Sequence, residues 1–289
     1  MYTKLLVPLD GSRLAEQILP YARLFAEAYG IPVELVRVED LDAGAPFRPP
    51  QPNSDYLQEA SARYFPSPLR VDLIEERGKP AQVIVDRAKA DPSYLIAMTT
   101  HGLSGMRRWM LGSVASQVVQ SAANPVLLIR SMEGKDPASE ISLKMAFVPL
   151  DGSALAEKIL PHIVALAQKV KLEMNLVRVY TSPADAYVVG NGIYLEALSQ
   201  HREKLRNEAE AYLDAKIQAL RAEGLHRVVS IVVEGDAAGE IIDLARKTPD
   251  NLVAMSTHGR SGVERWVLGS IAEKVIHYSH DPVLIIRPQ

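Results

Sequence analysis

The chain repeats itself, and the repeat sets its architecture. Val7-Pro8-Leu9-Asp10-Gly11-Ser12 returns as Val148-Pro149-Leu150-Asp151-Gly152-Ser153, and both copies continue into Leu-Ala-Glu-x-Ile-Leu-Pro. The offset of 141 residues still holds at Leu35-Val36-Arg37-Val38 and Leu176-Val177-Arg178-Val179, then becomes 157 from Gly78 and Gly235 onward. One insertion of 16 residues in the second copy accounts for the change. From there the match runs on through Thr100-His101-Gly102 and Thr257-His258-Gly259 to Pro125-Val126-Leu127 and Pro282-Val283-Leu284. A period this long marks duplicated whole domains rather than a solenoid of short units. It divides the 289 residues into a first domain at 1–131, a polar, turn-rich linker at 132–142 and a second domain at 143–289, each of ordinary domain size.

Each half reads β-α-β-α-β-α-β-α-β. Strands are expected at Leu5–Leu9, Val33–Val38, Val71–Glu75, Tyr94–Thr99 and Val126–Ile129, with counterparts in the second half that begin with Ala146–Leu150. These are continuous apolar runs without polar alternation, and helical segments separate them. That pattern predicts an α/β fold of two tandem doubly wound domains, each a five-stranded parallel sheet with helices on both faces. A helix is expected from Ser12 and from Ser153, where the serine follows Asp-Gly as an N-cap. The insertion falls between the second and third strands. There Tyr194–Arg221 makes one long charged amphipathic helix, against Asp55–Phe65 in the first half.

Several function classes are excluded or disfavoured. A net charge of −3 gives phosphate backbones little to attract, so no nucleic-acid partner is expected. No apolar run reaches membrane-spanning length, and Met1–Pro8 reads as a strand rather than a signal sequence. Together with the absence of cysteine, this places the protein in the cytoplasm by expectation. No Gly-x-x-x-x-Gly-Lys-Ser/Thr occurs, and the first strand leads into Asp-Gly-Ser rather than a dinucleotide fingerprint.

In a doubly wound sheet, ligands bind beyond the carboxyl ends of the strands. Asp10 and Asp151 follow strand one, Val38 and Val179 end strand two, and Thr99-Thr100-His101-Gly102 and Ser256-Thr257-His258-Gly259 follow strand four. Beyond nine intervening residues, Gly102 and Gly259 are followed by Gly112-Ser113 and Gly269-Ser270, opening the last helix. A glycine before serine at a helix start offers backbone N–H groups, a hydroxyl and the positive end of the helix dipole, all suited to phosphate. His101 and His258 read as locally hydrogen-bonded loop residues, and Trp109 and Trp266 as packing anchors. Arg108 and Arg265 read as exposed guanidinium groups near a helix, with contact to a bound phosphate as the lesser alternative.

The pattern of a small residue, two others, Gly, nine residues and Gly-Ser, closed by Pro-Val-Leu-x-x-Arg, resembles the nucleotide-binding signature of the universal stress protein family. The resemblance covers both halves. It implies a tandem, stress-responsive regulatory protein that binds ATP or AMP, assigns no catalytic residue and allows at most slow ATP hydrolysis. It implies contacts from Pro8, Asp10, Val38, Met98, Thr99, Gly102, Gly112, Ser113 and Val114. In the second half they come from Pro149, Asp151, Val179, Met255, Ser256, Gly259, Gly269, Ser270 and Ile271. Asp10 or Asp151 could share Mg²⁺ with the ligand's phosphates. The halves are expected to form an intramolecular pseudo-dimer through their last strands, and two chains to pair as a homodimer, with the signalling partner unspecified. The family usually has Gly where Thr99 and Ser256 stand. The added β-carbon and hydroxyl keep a nucleotide-free interaction module open as the alternative, ahead of an adenylating enzyme, whose paired glycines are missing.

Overall fold

The computed structural model describes residues 2–40, 56–65, 68–101, 111–134, 136–182, 192–259 and 268–288. The first half runs β1 (Lys4–Leu9), α1 (Arg13–Glu16), α2 (Leu19–Tyr29), β2 (Val33–Glu39), α3 (Tyr56–Tyr64) and β3 (Val71–Arg77). It continues with α4 (Pro80–Ala88), β4 (Tyr94–Thr99), α5 (Ser113–Ser121) and β5 (Val126–Ile129). The second half repeats the order as β6 (Met145–Pro149), α6 (Ala154–Glu157), α7 (Leu160–Val170), β7 (Glu173–Tyr180) and α8 (Gly192–Ala222). After these come β8 (Val228–Glu234), α9 (Ala237–Arg246), β9 (Asn251–Ser256), α10 (Ser270–Tyr278) and β10 (Val283–Ile286). Among the described residues no helix is long and apolar enough to cross a membrane.

The strands form one sheet in the order β3-β2-β1-β4-β5-β10-β9-β6-β7-β8. Within each half every pairing is parallel. The halves meet at an antiparallel seam in which Leu127 faces Leu284. The two expected sheets are therefore the two ends of a single ten-stranded one. In each half the chain runs outward to one side of its first strand and then crosses to the other. This puts a switch point at the carboxyl ends of β1 and β4, and of β6 and β9.

Side-chain alternation sorts the strands between two apolar layers. Leu5, Val7, Leu35, Leu95 and Leu127 point to the layer that holds Phe25 and Leu213. Leu6, Val36, Ile96 and Leu128 point to the layer that holds Ile84, Val118 and Ile241. Both layers continue across the seam, and coverage of both faces explains the apolar runs of the central strands, whereas the edge strands β3 and β8 are only partly buried.

Four elements differ from expectation by more than one residue. The helix from Ser12 is two helices: Ser12 caps α1 by accepting from Ala15 N, and α2 restarts with Pro20 in its first turn. Proline has no N–H to continue the α1 ladder and is tolerated at a helix start. Pro161 divides α6 from α7 in the same way. β3 runs on to Arg77, because Arg37, Val38 and Glu39 of β2 keep it paired past Glu75. α8 begins at Gly192 and ends at Ala222, burying Ala209, Leu213, Ile217 and Leu220 in one stripe.

The halves diverge at a buried site in their second strands. Glu34 is 3% exposed and accepts from Lys4 Nζ at 2.8 Å and from Arg87, which also reaches Glu76. Asn175 takes the matching position in the second half, also buried. Burial pushes the Glu34 carboxyl up, but the hydrogen bonds and charges of Arg87 and Lys4 outweigh it and hold the group below the usual carboxylate range. A lowered folded pKa contributes stability that is present above the unfolded value and is lost as pH falls through the folded one. Glu34→Gln is thus expected to lower stability near pH 7 by about 1.5–3 kcal/mol, the worth of a hydrogen bond to a charged group. It should also shrink the acid-induced loss, as read from urea midpoints between pH 7 and pH 3.

Candidate functional site

The carboxyl edge of the second half is built from three chain reversals. After β6, Asp151 Oδ1 accepts from Ser153 N at 2.9 Å and Ser153 Oγ at 2.6 Å, while Ser153 Oγ accepts from Ala156 N at 3.1 Å. Gly152 sits at φ 85°, which is why glycine separates the aspartate from the serine. The first half repeats this turn with Asp10 and Ser12 at 2.9 Å. The side chain that caps the helix is thus the serine, and the aspartate braces the turn from the strand end.

After β9 the chain leaves through Ser256, Thr257, His258 and Gly259. Ser256 Oγ donates to Leu155 O at 2.8 Å, and in the first half Thr99 Oγ1 donates to His101 O at 2.7 Å. Each hydroxyl has one hydrogen, and here it is engaged within the protein. Thr257 Oγ1 lies 2.9 Å from His258 Nδ1, as Thr100 Oγ1 lies 3.0 Å from His101 Nδ1, so both histidines bond to a neighbouring side chain. His258 Nε2 is buried without a hydrogen-bond partner among the described residues.

The third reversal closes the loop onto the last helix. Gly269 N donates to Thr257 O at 3.0 Å, and Gly112 N to Thr100 O at 2.9 Å. A β-carbon on Gly269 would stand 2.5 Å from Thr257 O, one on Gly112 2.9 Å from Thr100 O, and one on Gly259 2.0 Å from Asp151 Oδ2. At Gly112 and Gly269 the neighbour is a backbone carbonyl, so glycine is required there, whereas at Gly259 it is the Asp151 carboxylate, a side chain that can turn aside. From Gly269 the chain enters α10, whose first intrahelical bond is Glu273 N to Gly269 O at 2.9 Å. The N–H groups of Ser270, Ile271 and Ala272 consequently have no acceptor inside the helix. No side chain caps them, whereas Ser153 caps α6 and Asp236 caps α9.

A cavity of about 330 Å³ opens in front of this helix start. Its apolar wall includes Val177, Val179, Ile241 and Met255, and its polar end includes Asp151, Ser256, Ser270 and the start of α10. The volume lies at the lower end of the range for small-molecule sites. Pro149, Gly259, Gly269 and Ile271 line it too, so the structure brings together all nine second-half residues singled out from sequence. It adds others, notably Val177, Ala237 and Ile241. Val177 was findable as the residue two before Val179 on the same strand face, and Ala237 and Ile241 as an i, i+4 pair opening α9.

Behind Asp151 a polar shell fixes α8 to α6. Tyr212 Oη donates to Glu157 at 2.8 Å, Lys216 Nζ reaches the same carboxylate at 2.7 Å, and the Arg178 guanidinium lies 4.7 Å from the Tyr212 ring centroid. Burial first, then Glu157, pushes the Tyr212 hydroxyl well above its ordinary range, which keeps it a donor. Among the described residues no group of three or more His, Asp or Glu side chains is placed to hold a metal ion.

In the first half, Pro8 lies in β1, Val38 in β2, Met98 and Thr99 in β4, and Gly112, Ser113 and Val114 at the start of α5, with Asp10 just past β1. Both Val38 and Val179 stand one residue inside their strand ends. α5 likewise starts without a side-chain cap. Gly102 lies outside the described residues, as do Arg108, Trp109, Arg265 and Trp266.

A sequence profile described as the universal stress protein family matches residues 1–130 and 144–287. The chain belongs to the universal stress protein family. A universal stress protein of Methanocaldococcus jannaschii is 30% identical over 144 residues, covering 50% of this chain and 82% of the relative. Another, from Mycolicibacterium smegmatis, is 24% identical over 213 residues, covering 72% of this chain and 66% of the relative. The fold matches the crystal structure of a universal stress protein from Archaeoglobus fulgidus with a TM-score of 0.67 at 19% identity, over 98% of both chains. The tandem arrangement of universal stress protein units thus extends over nearly the whole chain, and the carboxyl edge just described falls within both matched segments.

Proposed function

We propose that this chain is a regulatory, stress-responsive universal stress protein that binds an adenine nucleotide, ATP or AMP, at the carboxyl edge of each half. The observation that carries this reading is the second-half cavity. There an uncapped helix start, a glycine at 269 that admits no side chain and an apolar wall meet within one small-molecule-sized space. The phosphates would accept from the N–H groups of Ser270, Ile271 and Ala272 and from the Ser270 hydroxyl, with the helix dipole behind them. The base would lie against Val177, Val179, Ile241 and Met255, and the ribose near Asp151. Asp10, Val38, Met98, Gly112, Ser113 and Val114 would serve the first half in the same roles. With no protein cage for a metal among the described residues, Mg²⁺ would be held jointly by Asp10 or Asp151 and phosphate oxygens.

We take 1–131 and 143–289 as the two binding units, joined by 132–142. The family-type pairing through last strands is used inside the chain by β5 and β10. A homodimer of this chain would therefore use another surface.

The test is a thermal-shift series with ATP, ADP and AMP, with and without Mg²⁺, on protein stripped of carried-over nucleotide. A nucleotide at 100 times its Kd should add about 2.7 kcal/mol of stability. A flat response at millimolar nucleotide would favour the interaction-module reading, for which the β-carbons of Thr99 and Ser256 are the specific support.

A further inference from the structure

The antiparallel seam has a consequence for the two proposed sites. Because β5 and β10 run in opposite directions, the residue that follows each strand lies beside the far end of the other half's last helix. Arg130, just past β5, donates from Nη1 to His277 O at 3.4 Å, in the final turn of α10. Arg287, just past β10, donates from Nη2 to Val119 O at 3.3 Å and also to Gln120 O, in the final turn of α5. Gln120 and His277 are matching positions of the repeat, as are Arg130 and Arg287, so this is one contact made twice across the pseudo-twofold. The last carbonyls of a helix have no intrahelical donor, and an arginine there both satisfies them and complements the negative end of the dipole. Both guanidinium groups are partly buried, and burial lowers the pKa of each.

The opposite end of α10 faces the second-half cavity, and α5 is its counterpart in the first half. α5 and α10 each have nine residues, a rod of about 13 Å, with Ser113 or Ser270 at one end and the clamped carbonyls at the other. Such a short helix moves as a unit, so its grip at the carboxyl end sets where its amide donors stand at the amino end. We propose, on the basis of the nucleotide-binding reading, that Arg130 and Arg287 are crossed positioning residues: each half's final arginine sets the phosphate-facing helix of the other half. The two clamps are unequal. In α10, Arg246 Nη2 of the same half also donates to Tyr278 O at 3.0 Å, while Lys89, at the matching position in the first half, reaches Asp86 instead. The first-half site therefore depends more on its distant arginine.

The experiment separates the sites and then removes each arginine. In a Gly269→Val background only the first-half site remains. There Arg287→Ala should weaken ATP about fivefold or more by calorimetry, the low end of site-to-site coupling. Arg130→Ala should leave the affinity within about twofold, the size of an ordinary change at an uncoupled position. In a Gly112→Val background the pattern should reverse, with a smaller loss for Arg130→Ala. Arg287→Lys, which keeps a donor and a charge, should recover most of the loss. Independently of nucleotide, Arg287→Ala in the otherwise native chain should speed hydrogen exchange in α5 more than in α10. Each arginine weakening the site of its own half, or neither weakening either, would overturn the proposal while leaving nucleotide binding intact. An unsubstituted chain that binds no nucleotide would overturn the functional reading and this proposal with it, and uniform exchange in α5 and α10 would overturn the clamp itself.

Discussion

Gly269→Val is expected to eliminate nucleotide binding in the second half while leaving the first half competent. The added β-carbon would lie 2.5 Å from Thr257 O, which is backbone and is the acceptor of the Gly269 N–H itself. Neither atom can move away without opening the closure that aims α10 at the cavity. Displacing the helix start by a fraction of an ångström removes at least two charge-assisted hydrogen bonds to phosphate, each worth about 1.5 kcal/mol or more. A combined loss of about 3 kcal/mol or more is over a hundredfold in Kd. Gly112→Val should do the same to the first half, where the gap of 2.9 Å is slightly more generous and an alanine correspondingly less harmful. Calorimetric stoichiometry checks both: two sites in the native chain, one in each single variant and none in the double.

Leu127→Asp is expected to produce the largest loss of stability of any change considered. Leu127 is fully buried, faces Leu284 across the seam and belongs to the layer that runs through both halves. An aspartate there would place an unpaired charge in apolar surroundings, at a cost of several kcal/mol. The seam should open, with urea unfolding beginning at much lower denaturant and in two stages. Leu73→Asp, at an exposed position of the edge strand β3, should change the unfolding free energy by no more than about 0.5 kcal/mol. Equal behaviour of the two variants would argue against one continuous sheet.

Much of this was legible in the sequence because the relevant physics is local. The Asp-Gly-Ser turn, its serine cap, the apolar strands and the Gly-Ser start of the last helix are each decided within a few residues. The duplication then fixed their order twice. What the sequence concealed is decided by contacts between distant segments. Residues of β2 alone determine that β3 continues to Arg77; the pairing of the last strands was implied by the family resemblance, but its antiparallel register, Leu127 against Leu284, is fixed only where β5 and β10 meet. Val177, Ala237 and Ile241 line the cavity because β7 and α9 pack side by side; spacing groups them on one face of each element but does not say that the two faces meet. The hydroxyls of Thr99 and Ser256, alike as residues, donate to different carbonyls, His101 O and Leu155 O, because the neighbouring backbones differ.

The most direct test of the account is a calorimetric titration of ATP into nucleotide-free protein, with and without Mg²⁺. The account predicts saturable binding with two sites per chain, reduced to one by Gly112→Val or by Gly269→Val. No heat at millimolar ATP, or binding that survives both substitutions together, would contradict it.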